Sequence, residues 1–475
     1  MKPRVPPEQS IAEWSRAPML RRLRYFAHRA GLGREQLYQF MVDRMSWWPL
    51  VWFRRDQPKS GAPSIAYVLR RYPILSETFI RREIAALREA GIPLQVVAEE
   101  PDARSIAADP SLAHTDTIYL LPHDPHRGAQ FVRARIRRAP LRSLNVFLFV
   151  VFSRYSSYKG WREDLSVMRH AMYLAGVLEE QGVTHLHSPW GNHHAFLTML
   201  AARLMGVTYS VQVRANEFHR VSTNHMMAAK LRNATFVVTN SRYNEAHLRP
   251  LLGTRQTPPL QIIYNSLNLT QFAMQNGRAD GPVRILAIGR LVTMKGFEYL
   301  LRACAILRER GVQFHCDIIG GAHESLDANA PLELKKLHRR LELDSVVRFH
   351  GAQPFEAIMR AYQSADIVAL PCIVAPDSSR DITPNVLLEA MAMQRAVVST
   401  PIGAISEIID DGVNGILVPS KDEARLADAL EMLVRDEPLR RRLGVAAREK
   451  IAARFNVEHN IPQYAALFRR LSSSR

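Results

Sequence analysis

Asp366-Ile367-Val368-Ala369-Leu370-Pro371, followed by Asp381-Ile382-Thr383-Pro384-Asn385-Val386-Leu387-Leu388-Glu389-Ala390-Met391-Ala392, is the stretch on which the fold turns. The first run is apolar and reads as a buried strand. A polar loop, Pro376-Asp377-Ser378-Ser379-Arg380, separates the two. Pro384 suits the first turn of a helix, which needs no amide donor there. The amides near Asn385, Val386 and Leu387 would then point back at the end of the strand, where a helix start receives anions, phosphate above all. Asp381 and Glu389 flank that start, eight residues apart. Carboxylates do not bind phosphate, but they accept hydrogen bonds from hydroxyls. Phosphate donors beside hydroxyl acceptors describe a pocket for a sugar nucleotide. The plain alternative is a capped helix whose Glu389 favours the dipole.

The same alternation extends in both directions. Downstream, Val397-Val398-Ser399 and Gly415-Ile416-Leu417-Val418 read as strands, with helices at 423–434 and 439–455. Upstream lie strands at 283–288, 314–319 and 346–349, with helices at 297–310, 332–341 and 355–364. Before a polar stretch rich in glycine, Ile65-Ala66-Tyr67-Val68-Leu69, helix 79–90 and Leu94-Gln95-Val96-Val97-Ala98 form a βαβ unit, which implies a parallel sheet. Further strands fall at 184–187, 208–213, 236–239 and 261–264. The expected organisation is α/β: two doubly wound domains facing across a cleft, with ligands at the carboxyl ends of both sheets. The boundaries are an N-terminal basic and aromatic extension, 1–60, a first domain, 61–270, and a linker, 271–282. A second domain, 283–455, and a segment placed to pack back on the first domain, 456–475, complete the chain.

The 475 residues carry a net charge of +18, and 47% of them are apolar. That composition is globular, and its charge calls for an acidic partner: nucleic acid, an anionic membrane face or a phosphorylated substrate. Cys304, Cys316 and Cys372 form no CxxC pair and fit buried thiols in a reducing compartment. No secretory signal is evident, and the longest apolar run, 146–152, is far short of a membrane span. A cytoplasmic protein that touches the inner face of the plasma membrane is therefore expected. Four of the six tryptophans, Trp14, Trp47, Trp48 and Trp52, lie among arginines in the first 60 residues. Such a mixture suits a membrane interface, a nucleic-acid strand or an accessory helical layer. Arg127, Arg133, Arg135, Arg137, Arg138 and Arg142 precede the apolar run at Val146, and Arg154, Lys159 and Arg162 follow it. This second segment is read as lying in an anionic headgroup layer, the alternative being a buried helix.

Gly289-Arg290-Leu291-Val292-Thr293-Met294-Lys295-Gly296 follows a strand. It lacks the P-loop spacing, but its two cations can reach one diphosphate. Together with Ser76-Glu77-Thr78-Phe79-Ile80, Tyr264-Asn265-Ser266-Leu267-Asn268, Arg348-Phe349-His350-Gly351 and the run from Pro384 to Ala392, this order of motifs resembles the family-4 retaining glycosyltransferases of the GT-B architecture. The likeness covers about residues 64–460, and is strongest to those building bacterial exopolysaccharide or lipopolysaccharide.

The resemblance implies a UDP- or GDP-linked sugar as donor and a lipid-linked or growing glycan as acceptor. It puts Asp381 at the donor sugar, where the family has Glu, and Glu389 at the ribose hydroxyls. Arg290 and Lys295 would hold the diphosphate, with Asn385, Val386, Leu387, Arg348 and His350 also on the donor side. Ser76, Glu77, Thr78, His193 and Glu217 would face the acceptor side of the cleft. Cations and a helix start in place of a metal imply transfer without cofactor or Mg²⁺, and the sequence has no DxD triad. Where many members carry a histidine, this chain has Arg214, which cannot act as a base. It either contacts phosphate or the leaving oxygen, or is a surface arginine paired with Glu217. His185, His187, His193 and His194 lack nearby ligands for a zinc site and are expected near the acceptor. A catalytically silent, basic binding protein of the same fold, for anionic lipid or nucleic acid, is the alternative function; nucleic acid is not the partner expected.

Overall fold

The structure, a computed structural model, describes residues 64–74, 77–113, 116–122, 124–153, 158–214, 227–253, 257–272, 281–322, 327 and 329–473. The N-terminal extension 1–60, Ser76, Glu217 and most of the 271–282 linker lie outside the described residues.

The first sheet contains β1 (Ile65–Arg71), β2 (Leu94–Glu100), β3 (Thr117–Tyr119), β4 (His185–Ser188), β5 (Thr208–Val213), β6 (Val237–Thr239) and β7 (Leu260–Ile262). Its seven strands are ordered β3-β2-β1-β4-β5-β6-β7, all in parallel. The second sheet contains β8 (Val283–Ile288), β9 (Phe314–Ile319), β10 (Val347–Gly351), β11 (Ile367–Leu370), β12 (Ala396–Ser399) and β13 (Ile416–Leu417). Its order is β10-β9-β8-β11-β12-β13, again parallel. Both sheets reverse direction beside their first strand, between β1 and β4 and between β8 and β11. Ligands bind at such switch points, beyond the strands' carboxyl ends.

Helices cover both faces of the central strands, so those strands are buried; most are short apolar runs, with β4 and β5 the polar exceptions. One face of the first sheet is covered by α1 (Thr78–Glu89). The other carries α2 (Pro125–Arg138), α3 (Pro140–Ser153), α4 (Tyr158–Glu180) and α5 (His193–Met205). In the second domain, α6 (Asn385–Ala392) follows β11, and its Leu387, Leu388, Ala390 and Met391 are fully buried. The last helix, α7 (Val457–Ser473), leaves the second domain and returns to the first. There Ile461, Tyr464, Phe468 and Leu471 join Tyr67, Ile80 and Phe236 in one core.

Two expectations change here. The apolar run at Val146 is split between two faces: Val146, Phe149 and Val150 are at most 3% exposed against α4 and α5, while Phe147 and Leu148 are exposed. The segment after β3 is an inserted pair of helices: Asp124 accepts from the amides of His126 and Arg127 and Pro125 opens the first, and Pro140 opens the second. His185 and His187 do not approach any acceptor. They lie fully buried beneath α7, bonded to Thr208, Ser210 and Tyr464 at 2.7–2.8 Å. Burial holds both imidazoles neutral, lowering His185 to about 3. No helix among the described residues is long and apolar enough to cross a membrane.

Candidate active site

The second domain's switch point is built by two loops bonded to each other. The loop after β8 ends at Gly296, whose left-handed φ of 69° lets the chain press against Pro371, the residue after β11. A Cβ there would sit 1.9 Å from the Pro371 carbonyl oxygen, so glycine is required. Ile373 completes the seam by donating its amide to Met294 at 3.0 Å. This seam brings Lys295 to Asp381, and the two form an ion pair, although they are 86 residues apart. Lys295 is only 7% exposed, so Asp381 neutralises a nearly dehydrated ammonium. Gly403 supports Asp381 from behind; a Cβ there would lie 2.3 Å from the Asp381 carbonyl. The thiol of Cys372, pushed up by burial and by Asp381, lies 3.9 Å from the same carboxylate.

Next to the pair, Pro384 caps α6. Leu387 is buried and its amide already donates to Pro384 at 3.1 Å. Among the three amides expected to face an anion, those of Asn385 and Val386 therefore head the helix. Glu389, one turn in, has both oxygens engaged: one accepts from Arg82 of α1 at 3.1 Å, the other from Tyr362 at 3.1 Å. Asn385 accepts from Asn265 at 2.9 Å, a second bond from one domain to the other. Thr383, two residues after Asp381 in sequence, has a buried hydroxyl with no protein hydrogen bond. Arg348 and His350 lie on β10, two strands out from β8, where His350 bonds to Asp317 at 2.6 Å.

Facing this site is the switch point of the first domain. Glu77 stands just before α1, beyond β1, and its carboxylate accepts from Trp190 beyond β4 rather than from a helix amide. Burial pushes the Glu77 carboxyl up to about 7, against the opposing pull of the Trp190 bond, Arg290 and Arg214. Arg290 thus acts on a first-domain carboxylate across the cleft. Thr78 opens α1, and His193 is exposed at the start of α5, behind the Asn192 cap.

Arg214 is not a surface residue. It is 4% exposed, is paired with Glu83, donates to Gln212 at 2.6 Å and lies 5.1 Å from the centre of the Phe79 ring. A guanidinium can serve these partners together because its donors are fixed in a planar fork. Arg214, Thr78, Phe79, Arg82 and Phe355 line a cavity of about 340 Å³ between the domains. Arg82, Thr383 and Tyr362 escape sequence reading. Arg82 looks like one more helix-surface cation in α1, and its partner lies 307 residues away.

Two parallel sheets whose switch points face each other define the GT-B arrangement, a fold of sugar-transferring enzymes. Similarity to solved structures supports it. Over 87% of this chain and 100% of the other, sucrose-phosphate synthase from Thermosynechococcus elongatus superposes with a TM-score of 0.66 at 20% identity. Anabaena Alr3699/HepE, solved in complex with UDP-glucose, gives 0.62 at 17% identity over 86% and 99%.

The sequence narrows the class. Residues 270–450 match the family described as glycosyl transferases group 1. The putative colanic acid biosynthesis glycosyltransferase WcaL of Salmonella typhimurium is 31% identical over 421 residues, which is 85% of this chain and 98% of that protein. The amylovoran biosynthesis glycosyltransferase AmsK of Erwinia amylovora is 24% identical over 86% of this chain and 100% of its own length. The chain belongs to the group 1 glycosyltransferases. It is therefore an enzyme, and the catalytically silent alternative has no supporting observation.

Proposed function

We propose that this enzyme moves a sugar from a UDP- or GDP-linked donor to a lipid-linked or growing glycan acceptor during synthesis of a cell-surface polysaccharide. The observation that carries the reading is the Lys295–Asp381 pair, seated at one switch point and facing Glu77 and Arg214 at the other. Arg290, Lys295 and the first amides of α6 hold the donor diphosphate. Asp381 orients the donor sugar, Thr383 contributes its hydroxyl there, and Glu389 takes the ribose hydroxyls. As the glycosidic bond breaks, charge grows on the diphosphate, where preset cations stabilise it more than they stabilise the intact donor. These cations do the work a divalent metal would otherwise do, so transfer proceeds without Mg²⁺ and with retained anomeric configuration, in the manner of family 4. Arg348 and His350 serve the outer, base-proximal side of the donor.

Arg214 is a positioning residue: it holds Glu83 and the floor of the cavity rather than removing a proton. Glu77, Thr78 and His193, with Ser76 and Glu217 beyond the described residues, receive the acceptor. The names of WcaL and AmsK support the exopolysaccharide assignment, and HepE's complex supports a nucleotide-linked donor. The enzyme works at the inner face of the plasma membrane, where lipid-linked acceptors are displayed. The test is a panel of radiolabelled sugar nucleotides incubated with membranes and the protein, with and without EDTA. Label should enter a lipid-extractable or polymeric product from one donor, unaffected by EDTA. Loss of transfer in EDTA and its return with Mg²⁺ would overturn metal independence; no transfer from any donor would overturn the assignment.

A further inference from the structure

Seven of the eleven exposed large apolar side chains among the described residues fall between Tyr119 and Leu148. The sharpest group is Ile136 at 49% exposure, Leu141 at 73%, Leu144 at 53%, Phe147 at 38% and Leu148 at 36%. Leu141, Leu144 and Leu148 follow helical spacing and so form one ridge along α3. Ile136 extends it across the corner from the last turn of α2. Scattered exposed leucines are ordinary, but a contiguous ridge of this kind marks a contact surface.

The ridge is rimmed mainly by positive charge. Of the six arginines in residues 125–153, Arg127 and Arg135 pair with Glu180 and Glu179 of α4, while Arg133, Arg137 and Arg138 are exposed beside Ile136, and the segment itself holds no carboxylate. Nor is this corner a loose arm. Arg135 is 7% exposed, pairs with Glu179 and donates to the Leu204 carbonyl at 2.8 Å, pinning α2 to α4 and α5. The side of α3 opposite the ridge is fixed by Val146, Phe149 and Val150 in the core. α3 therefore displays its leucines rigidly.

We infer that the α2–α3 corner docks on the surface of an anionic phospholipid bilayer, with the leucine ridge among the acyl chains and the arginines at the phosphates. Charge selects this occupant. A second copy of the chain would bring arginine against arginine, which repels. Nucleic acid would match the charge, but its bases stack on aromatic rings, whereas the centre of this face is mainly aliphatic. A short amphipathic element with a basic rim lies in the interface without spanning the bilayer.

The orientation also fits. Arg142, near the start of α3, lies over Gly206 at the end of α5, and Phe149 meets Phe196 in the first turn of α5, with ring centres 6.2 Å apart. α3 thus runs antiparallel to α5 and climbs toward the carboxyl edge of the first sheet, where His193 stands exposed. A bilayer against the ridge ends at the rim of the cleft, on the acceptor side. That purpose rests on the acceptor proposed above; the docking face does not.

The test is co-sedimentation of the full chain with phosphatidylcholine vesicles, with and without phosphatidylglycerol, at several salt concentrations. The wild type should bind only the anionic vesicles, and salt should weaken it. Leu141→Glu with Leu144→Glu, and separately Arg137→Glu with Arg138→Glu, should each lower the partition by about tenfold or more. Melting temperature and its shift by UDP or GDP should stay at wild-type values, since all four side chains are exposed. Unchanged vesicle binding in both variants overturns the proposal. So does a leucine variant that only dissolves a dimer, or an arginine variant that loses single-stranded DNA binding while the leucine variant keeps its vesicle binding. Vesicle binding without any nucleotide response removes the proposed donor chemistry and leaves the docking face intact.

Discussion

Lys295 and Asp381 answer for each other. Removing the carboxylate leaves an ammonium that is 7% exposed with its partner gone, a change that costs about 3–5 kcal/mol when the site cannot rearrange. Asp381→Asn should therefore lower both stability and turnover, the latter by about 100-fold if the pair steadies the donor as proposed. Lys295→Met with Asp381→Asn should recover most of the stability but none of the turnover, as a double-mutant cycle of melting and rate would show. Turnover regained along with stability would make the pair purely structural. Glu77 gives a second residue-scale expectation. Its carboxyl ordinarily titrates at 4.5 and is raised by burial to about 7 in the fold. Between those values the folded state keeps a proton that the unfolded chain has lost, so this group makes stability fall as pH rises from 4.5 to 7. Glu77→Gln stays neutral throughout, and its melting temperature should fall less steeply across that window. Arg290, Arg214 and Asp102 face the same carboxyl, so the readout is the difference in slope between variant and wild type.

Elements were largely legible where one physical signal set them. Most of the buried parallel strands appear as apolar runs bounded by turn residues, and twelve of the thirteen fall where the alternation of strands and helices puts them. The exception is β3, because Thr117-Ile118-Tyr119 is too short to show a pattern. The loop at Gly289–Gly296 was legible as a cationic loop, but not its seam to Pro371, which only the register of β8 beside β11 creates. Gly296→Ala should break that seam, since the new methyl meets backbone rather than a movable side chain. Nucleotide binding, read by calorimetry, should weaken by at least about tenfold, more than the accompanying loss of stability explains. The polar character of β4 and β5 was misleading for a related reason. His185 and His187 look like site residues, yet they bond to Ser210 and to Tyr464 of α7, a helix more than 240 residues away in sequence. Phe468 closes that seat, with ring centres 5.4 Å from His187 and 5.6 Å from Phe236. Phe468→Ala should cost about 3–5 kcal/mol in chemical denaturation.

At the scale of the whole molecule, the two domains are joined by the crossing α7, by Leu267 and Phe272 buried in the second domain's core, and by a few polar contacts. Asn265 reaches Asn385, and Glu407 accepts from the amides of Arg242 at 2.9 Å and Tyr243 at 2.8 Å. Arg82 crosses from α1 to Glu389, with Phe272 and Phe355 flanking its guanidinium at 5.4 and 5.6 Å. Such contacts are small enough to be exchanged for a ligand, as hinged domains require. The Arg82 contact bears on the donor directly. If Glu389 takes the ribose hydroxyls, Arg82 must release one of its oxygens first, and the free enzyme holds a bond that the donor has to replace. Removing Arg82 removes that competition. Arg82→Met, which keeps an apolar stem between Phe272 and Phe355, should tighten nucleoside diphosphate binding by up to about tenfold, the free energy of one partly buried ion pair. The domains should open at the same time, increasing the radius of gyration in small-angle scattering without ligand. Weaker nucleotide binding in this variant would mean that Arg82 contacts the donor itself, and that the ion pair to Glu389 is part of the bound site rather than a contact the donor displaces.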